Sequence, residues 1–167
     1  NSFVEQLPDH VILCLDEAYA EYLEEPTDIR PFLETSKKVI GLRTFSKIHG
    51  LAGLRIGYGY GTKEMISLLQ KSRQPFNANS VAQASAIGAL EDESWVLQCR
   101  RRNQNGLRQM EEGFKNLGLC FVPSQANFIL VDVGNGTKAF ELLQQKGIIT
   151  RPMPEELSNF VRISIGT

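Results

Sequence analysis

Long hydrophobic runs, an excess of either charge and paired cysteines are all missing from this chain. Its 167 residues contain no apolar stretch near the length of a bilayer span and no N-terminal signal pattern, so a membrane-spanning protein is not expected. Lys and Arg number 18 against 19 Asp and Glu, and a net charge of −1 disfavours a nucleic-acid-binding domain. Arg100, Arg101 and Arg102, with Arg108, do not alter this, because consecutive helical residues point about 100° apart and so do not build one basic face. Cys14, Cys99 and Cys120 are odd in number and widely spaced, which excludes a disulfide scaffold or a cysteine metal cluster and suits a reducing cytoplasm. Neither His10 nor His49 has a histidine or cysteine at ligand spacing, so no metal site is expected. The glycine-rich run from Gly57 to Gly61 lacks both the third glycine of a dinucleotide fingerprint and a Gly-Lys-Ser/Thr ending, and reads as strand and turn.

What is present is an ordinary hydrophobic content of 42%, enough for one core or two small ones, arranged as apolar runs alternating with helical patterns. That alternation predicts an α/β protein, with strands near 11–16, 39–44 and 55–60 and a helix over Lys63–Ser72. The residue before Pro75 is pushed out of the helical region, so residues 74–77 should form a break. Ser80 and Gln83 have the spacing of a capping box that starts a helix to Leu90. A bend at residues 91–94 then leads into a long helix carrying Trp95, Cys99, Met110, Phe114 and Leu117, the expected domain crossing. Beyond it, 128–133, a helix over 138–145, 148–151 and 161–165 make a smaller α/β unit.

The most informative segment runs from Thr44 to Tyr58, where an apolar run beginning at Val39 ends in Ser46-Lys47 and small residues separate Lys47 from Arg55. A lysine at a strand end among apolar and glycine residues can be partly desolvated, which frees its neutral amine for Schiff-base chemistry. The Ser46 hydroxyl and the planar fork of Arg55 are suited to holding a phosphate. Upstream, Val11 to Leu15 is an apolar run too short for a buried helix; it ends in Asp16 and is followed by Glu17-Ala18-Tyr19. It reads as a central parallel strand, and ligands of open α/β sheets bind beyond the carboxyl ends of such strands. At the far end Val161 to Ile165 alternates with period two, which separates Arg162 from the aliphatic face. Arg151 follows Lys146-Gly147-Ile148-Ile149-Thr150 and precedes Pro152. Each residue alone has a plainer reading: Lys47 as a solvated lysine, Asp16 as a helix N-cap, Arg162 and Arg151 as surface charges. Their joint occurrence is what favours a site.

Together these segments resemble the fold-type-I pyridoxal-phosphate (PLP) aminotransferases of class I and II, and most closely the histidinol-phosphate aminotransferases, over about Val11 to Thr167. The resemblance implies that Lys47 carries pyridoxal 5′-phosphate and acts as general base. It implies that Asp16 keeps the pyridine nitrogen protonated so that the ring draws electrons, and that Tyr19 hydrogen-bonds the ring's 3-oxygen. Ser46 and Arg55 would bind the cofactor phosphate, Arg162 the α-carboxylate of an amino-acid substrate and Arg151 the phosphate of the substrate. The implied reaction moves an amino group between a small-molecule amino donor, L-histidinol phosphate, and the 2-oxo acid 2-oxoglutarate in histidine biosynthesis.

The expected fold is therefore that of a fold-type-I PLP-dependent transferase, α/β with a mainly parallel sheet in the large domain. Residues 1–92 would be the C-terminal part of that PLP-binding domain and 93–167 a small α/β domain lacking its last helix. The resemblance makes the chain about the C-terminal half of a cytoplasmic, homodimeric enzyme, inactive as this piece alone, with no nucleic-acid or membrane partner. An aromatic aminotransferase and a phosphothreonine-type decarboxylase remain open within the enzyme class, and a catalytically silent PLP-fold binding or regulatory domain outside it.

Overall fold

The computed structural model describes residues 2–35 and 37–166 and divides into two compact units, 1–96 and 97–167. Thr167, the last residue of the expected C-terminal strand motif, lies outside the described residues. No described helix is long and apolar enough to cross a membrane.

The first unit opens with a short helix α1 (Ser2–Glu5) and is built on β1 (Ile12–Asp16), β2 (Lys38–Thr44) and β3 (Gly57–Gly61), in the order β1-β2-β3. β1 and β2 pair in parallel with Ile12 opposite Lys38 and Asp16 opposite Leu42, as expected for a sheet of this class. β3 joins β2 antiparallel, so the described sheet is mixed rather than mainly parallel. The link from Phe45 to Ile56 carries only tight turns and no full crossover helix, and a parallel return requires such a crossover. β1 also stands at one edge of these three strands instead of their centre. Its Leu13 and Leu15 turn inward onto a core of Val4, Ile29, Phe32 and Val39, while Ile12, Cys14 and Asp16 share the outer face. Ile12 is left 53% exposed, an apolar outer face of the kind seen on strands that are covered on both sides.

Helix α2 (Lys63–Ser72) follows β3, with the Thr62 side chain accepting a hydrogen bond from the Met65 amide at its start. Helix α3 (Ser80–Glu91) begins one residue away from the expected cap. Asn79 Oδ1 accepts from the Ala82 amide at 2.8 Å, and Gln83 Nε2 donates to the Ala78 carbonyl, so no Ser80–Gln83 box forms. Asparagine and serine both cap well, and the backbone selected the earlier of two adjacent candidates. Asp92 alone breaks the chain before α4 (Glu93–Asn116), which begins in the first unit and supplies most of its length to the second.

In the second unit, β4 (Phe121–Val122), β5 (Phe128–Asp132), β6 (Arg151–Pro152) and β7 (Phe160–Ser164) form an antiparallel sheet in the order β4-β5-β7-β6, with α5 (Gly136–Gln145) between β5 and β6. Its core is Leu107 and Phe114 of α4 against Ile129, Val131 and Val161, with Met110, Ile163 and Ile165 packed around them. Leu117 does not join the helix face expected of it; it lies past the end of α4 and is exposed. The predicted strand over 148–151 shrinks to Arg151–Pro152, because Ile148 and Ile149 turn outward, Ile149 at 73% exposure. The two-residue β4, too short to show a period, was not foreseen.

Candidate active site

Asp16 ends β1, and its Oδ1 accepts a hydrogen bond from the Ala18 amide at 3.0 Å, a tight local turn that holds the carboxylate at the strand's carboxyl end. The chain then passes through Glu17, whose amide donates to the Leu42 carbonyl at 2.8 Å and so continues the β1–β2 ladder. Tyr19 precedes a 3-10 turn over Ala20–Tyr22. On the neighbouring strand, β2 ends at Thr44 and Lys47 follows after two residues. Parallel pairing thus brings the ends of β1 and β2 together, and the Lys47 Nζ lies 5.1 Å from the centroid of the Tyr19 ring. A cation over a phenol face is attracted by the ring quadrupole. Among the described residues the Lys47 amine has no carboxylate partner, but Lys47 is exposed, so the partial desolvation expected of it is not met in these residues.

The loop after β2 is closed by its own backbone. The Phe45 amide donates to the Ile56 carbonyl at 3.2 Å, the Leu51 amide to the Phe45 carbonyl at 2.9 Å and the Gly50 amide to the Lys47 carbonyl at 3.0 Å. The first of these brings the two sides of the loop together beside Ser46 and Arg55. Arg55 does not begin β3 as expected; it ends a short 3-10 turn with φ of +52°, and its Nη1 donates to the Ala52 carbonyl at 2.8 Å. No contact joins Ser46 to Arg55 among those described. His49 is half-buried, with its ring 5.2 Å from Phe45 and its Nδ1 buried without a hydrogen-bond partner.

In the second unit Arg162 lies on β7 with its guanidinium carbon 4.7 Å from the centroid of Phe128, and its Nε is buried with no hydrogen-bond partner. Val161, Ile163 and Ile165 belong to the core, so the period-two separation of Arg162 from the aliphatics holds. Arg151 on β6 is directly opposite Arg162 in the antiparallel register. Side chains of directly opposed residues share a face, and like charges so placed repel unless an anion lies between them.

Sequence reasoning missed a polar cluster beneath the Asp16 turn. Glu17 is 5% exposed, and its Oε2 accepts from Arg43 Nε at 3.0 Å and from the Tyr60 hydroxyl at 2.6 Å; Arg43 also reaches Glu21 at 3.5 Å. Burial alone would lower the pKa of Arg43, but the hydrogen bond and charge of Glu17 outweigh it and raise it. Burial first, and then the same carboxylate, push the Tyr60 hydroxyl up to about 12. The only signal in the sequence was a second acid directly after Asp16, which does not say what it pairs with.

An amine, a carboxylate and a phenol at the ends of two adjacent strands, with a hydroxyl and a guanidinium in the following loop, can hold a phosphorylated aromatic aldehyde. The sequence profile of aminotransferases of class I and II matches residues 3–167. A histidinol-phosphate aminotransferase of Akkermansia muciniphila is 43% identical over 168 residues, covering 100% of this chain and 46% of its own length. That of Brevibacillus brevis is 44% identical over 170 residues, with 99% and 47% covered. The crystal structure of histidinol-phosphate aminotransferase from Sinorhizobium meliloti in complex with pyridoxal-5′-phosphate is similar with a TM-score of 0.88 at 32% identity, over 99% of this chain and 47% of that one. A Thermus thermophilus aspartate aminotransferase mutant gives 0.78 at 26% identity, over 95% and 47%. The chain thus spans about half the length of the relatives it matches.

Proposed function

Because this chain belongs to the class I and II aminotransferases, we propose that the protein is a PLP-dependent aminotransferase that moves an amino group between L-histidinol phosphate and 2-oxoglutarate in histidine biosynthesis. The observation that carries the reading is the placement of Lys47 beside Tyr19, at the end of the strand adjoining the one that ends in Asp16. The similarity to named histidinol-phosphate aminotransferases supports the donor.

The residues fit the cofactor. The unpaired amine of Lys47 suits its carbonyl, the Asp16 carboxylate its ring nitrogen and the Tyr19 hydroxyl its ring oxygen, while Ser46 and Arg55 supply a donor and a cation for its phosphate. When bound, the cofactor supplies a carbonyl for amine exchange and a ring that draws electrons from the substrate carbon. Lys47 would hold the cofactor through its amine, and the same Nζ, once free, would take and return the α-proton of the donor as general base and acid. Asp16 keeps a proton on the ring nitrogen, because an adjacent carboxylate favours the charged form of that group.

Arg162 binds the carboxylate of glutamate or 2-oxoglutarate, and Arg151 the phosphate of histidinol phosphate. Histidinol phosphate carries a phosphate and no carboxylate, whereas glutamate carries two carboxylates, so two arginines on one face serve both. The orphaned Arg162 Nε supports an anionic ligand there. On this reading the first unit belongs to the cofactor-binding large domain and the second to the small domain, with the boundary at 96/97 in place of the expected 92/93. On the same reading the whole protein is a cytoplasmic homodimer, and the present residues alone are inactive. Free Cys14, Cys99 and Cys120 are in keeping with a reducing compartment.

The test is a spectral titration of the full-length, cofactor-loaded protein with L-histidinol phosphate, with Lys47→Ala as control. Conversion to the pyridoxamine form that needs Lys47 supports the reaction and the donor. A response to an aromatic amino acid alone moves the assignment to that aminotransferase, and no loading at all removes the enzymatic reading.

A further inference from the structure

We propose that Trp95 is a positioning residue for Lys47, acting through the backbone of the lysine turn; this rests on the aminotransferase reading above. The Trp95 indole Nε1 donates to the Ile48 carbonyl at 2.8 Å, across 47 residues of sequence. Ile48 directly follows Lys47, and its side chain is 2% exposed. That residue is therefore held twice, by its side chain in the interior and by its carbonyl on the indole. The backbone around it is otherwise held by Gly50 to Lys47 and Leu51 to Phe45 within the turn, and by Phe45 to Ile56 across the loop. Gly50 takes a φ of +72°, so the turn reverses at a position with little steric resistance of its own. Among the hydrogen bonds described, the indole's is the one that a side chain from a distant segment makes to the backbone of this turn.

Trp95 is itself set in place before it reaches Ile48. Asp92 Oδ1 accepts from the Trp95 amide at 3.0 Å and from the Ser94 hydroxyl at 2.8 Å, which caps the first turn of α4. The amide bond first, and then the hydroxyl, hold the Asp92 carboxyl below its ordinary range, so the cap is charged at neutral pH. An indole N–H donates one hydrogen bond and accepts none, so Phe at this position keeps an aromatic ring and removes only the tether. Lys47 must meet a carbonyl in a narrow range of approach, and a small displacement of its Cα lowers the rate of that encounter.

The experiment uses the full-length apoprotein and its Trp95→Phe variant. Pyridoxal 5′-phosphate is added, the covalent adduct is trapped with borohydride at timed intervals, and the adduct on Lys47 is quantified by peptide mass. Deuterium uptake of residues 45–51 and 57–61 is measured in parallel without cofactor. Trp95→Phe is expected to form the Lys47 adduct roughly three- to tenfold more slowly, the effect of one lost hydrogen bond, with faster uptake over 45–51 and unchanged uptake over 57–61. Equal adduct rates in the two proteins overturn the inference, as does slower adduct formation without a change at 45–51. If Trp95→Phe does not fold, Asp92→Ala serves in its place, because it removes the cap that sets the indole against the Ile48 carbonyl. A slowed adduct in that variant supports the inference, and an unchanged one overturns it. A wild-type protein that forms no adduct on Lys47 instead removes the cofactor reading, and the uptake comparison still decides the tether.

Discussion

Arg151 stands directly opposite Arg162 across the antiparallel pair of β6 and β7. Two guanidiniums on one face repel each other, and a bound anion would satisfy both. Opposed like charges cost some tenths of a kcal/mol, so Arg151→Gln should stabilise the ligand-free protein by about 0.2–1 kcal/mol. The same change should raise the KM for histidinol phosphate more than that for glutamate. Thermal melts without ligand, together with steady-state kinetics for both substrates, check the pair of effects. A variant that loses stability and leaves both KM values alone would show Arg151 to be a structural charge.

Arg162→Lys keeps the charge and loses the planar fork and the buried Nε. A charge-assisted hydrogen bond contributes about 1.5–3 kcal/mol, so the KM for 2-oxoglutarate should rise roughly 10- to 100-fold. The loss should appear with any substrate that carries the carboxylate. An unchanged KM contradicts the carboxylate role.

The Glu17 carboxylate depends on Arg43 and Tyr60. Arg43→Ala leaves a buried charge with one donor and should destabilise the protein by about 2–3 kcal/mol, read from urea unfolding. Glu17→Gln, which keeps the shape and removes the charge, should cost less than Arg43→Ala. The reverse order would show that the cluster is not held by charge.

Tyr60 gives this cluster a dependence on alkaline pH. Its hydroxyl is raised from 10.0 to about 12, so the folded chain holds the proton more tightly than the unfolded chain. The stability this adds is complete below the unfolded value of 10.0 and is lost as pH rises through about 12. Urea midpoints across that range should fall more steeply in the wild-type protein than in Tyr60→Phe.

Two glycines are predicted to resist enlargement for different reasons. A Cβ on Gly136 would collide with the carbonyls of Phe160 and Ser158, which are backbone and cannot swing away. A Cβ on Gly41 would meet the Tyr60 ring, which can move only by giving up Glu17. Gly136→Ala should therefore cost more, with both in the range of about 1–3 kcal/mol expected of overpacking. Melting temperatures of the two variants test the order.

Local chemistry was legible where one segment contained its own explanation. Helix α2 runs over Lys63–Ser72 as its apolar period predicts, and β1 and β2 fall within a residue of their apolar runs. Signals failed where two neighbours could do the same work, as with Asn79 and Ser80, or where exposure decided, as with Ile148, Ile149 and Leu117. A propensity ranks each residue for a role and says nothing of which rival the backbone selects.

By itself the sequence determined the α/β class, the strand ends that carry Asp16 and Lys47, and the likeness of these segments to one enzyme family. These follow from short-range periodicity and from functional groups whose spacing is set along the chain. Tertiary structure alone decided the antiparallel return of β3, the opposition of Arg151 and Arg162, the burial of Glu17 between Arg43 and Tyr60, and the reach of Trp95 to Ile48. Each is a pairing between groups distant in sequence. Register, burial and the direction of a side chain exist only once the strands and helices have packed.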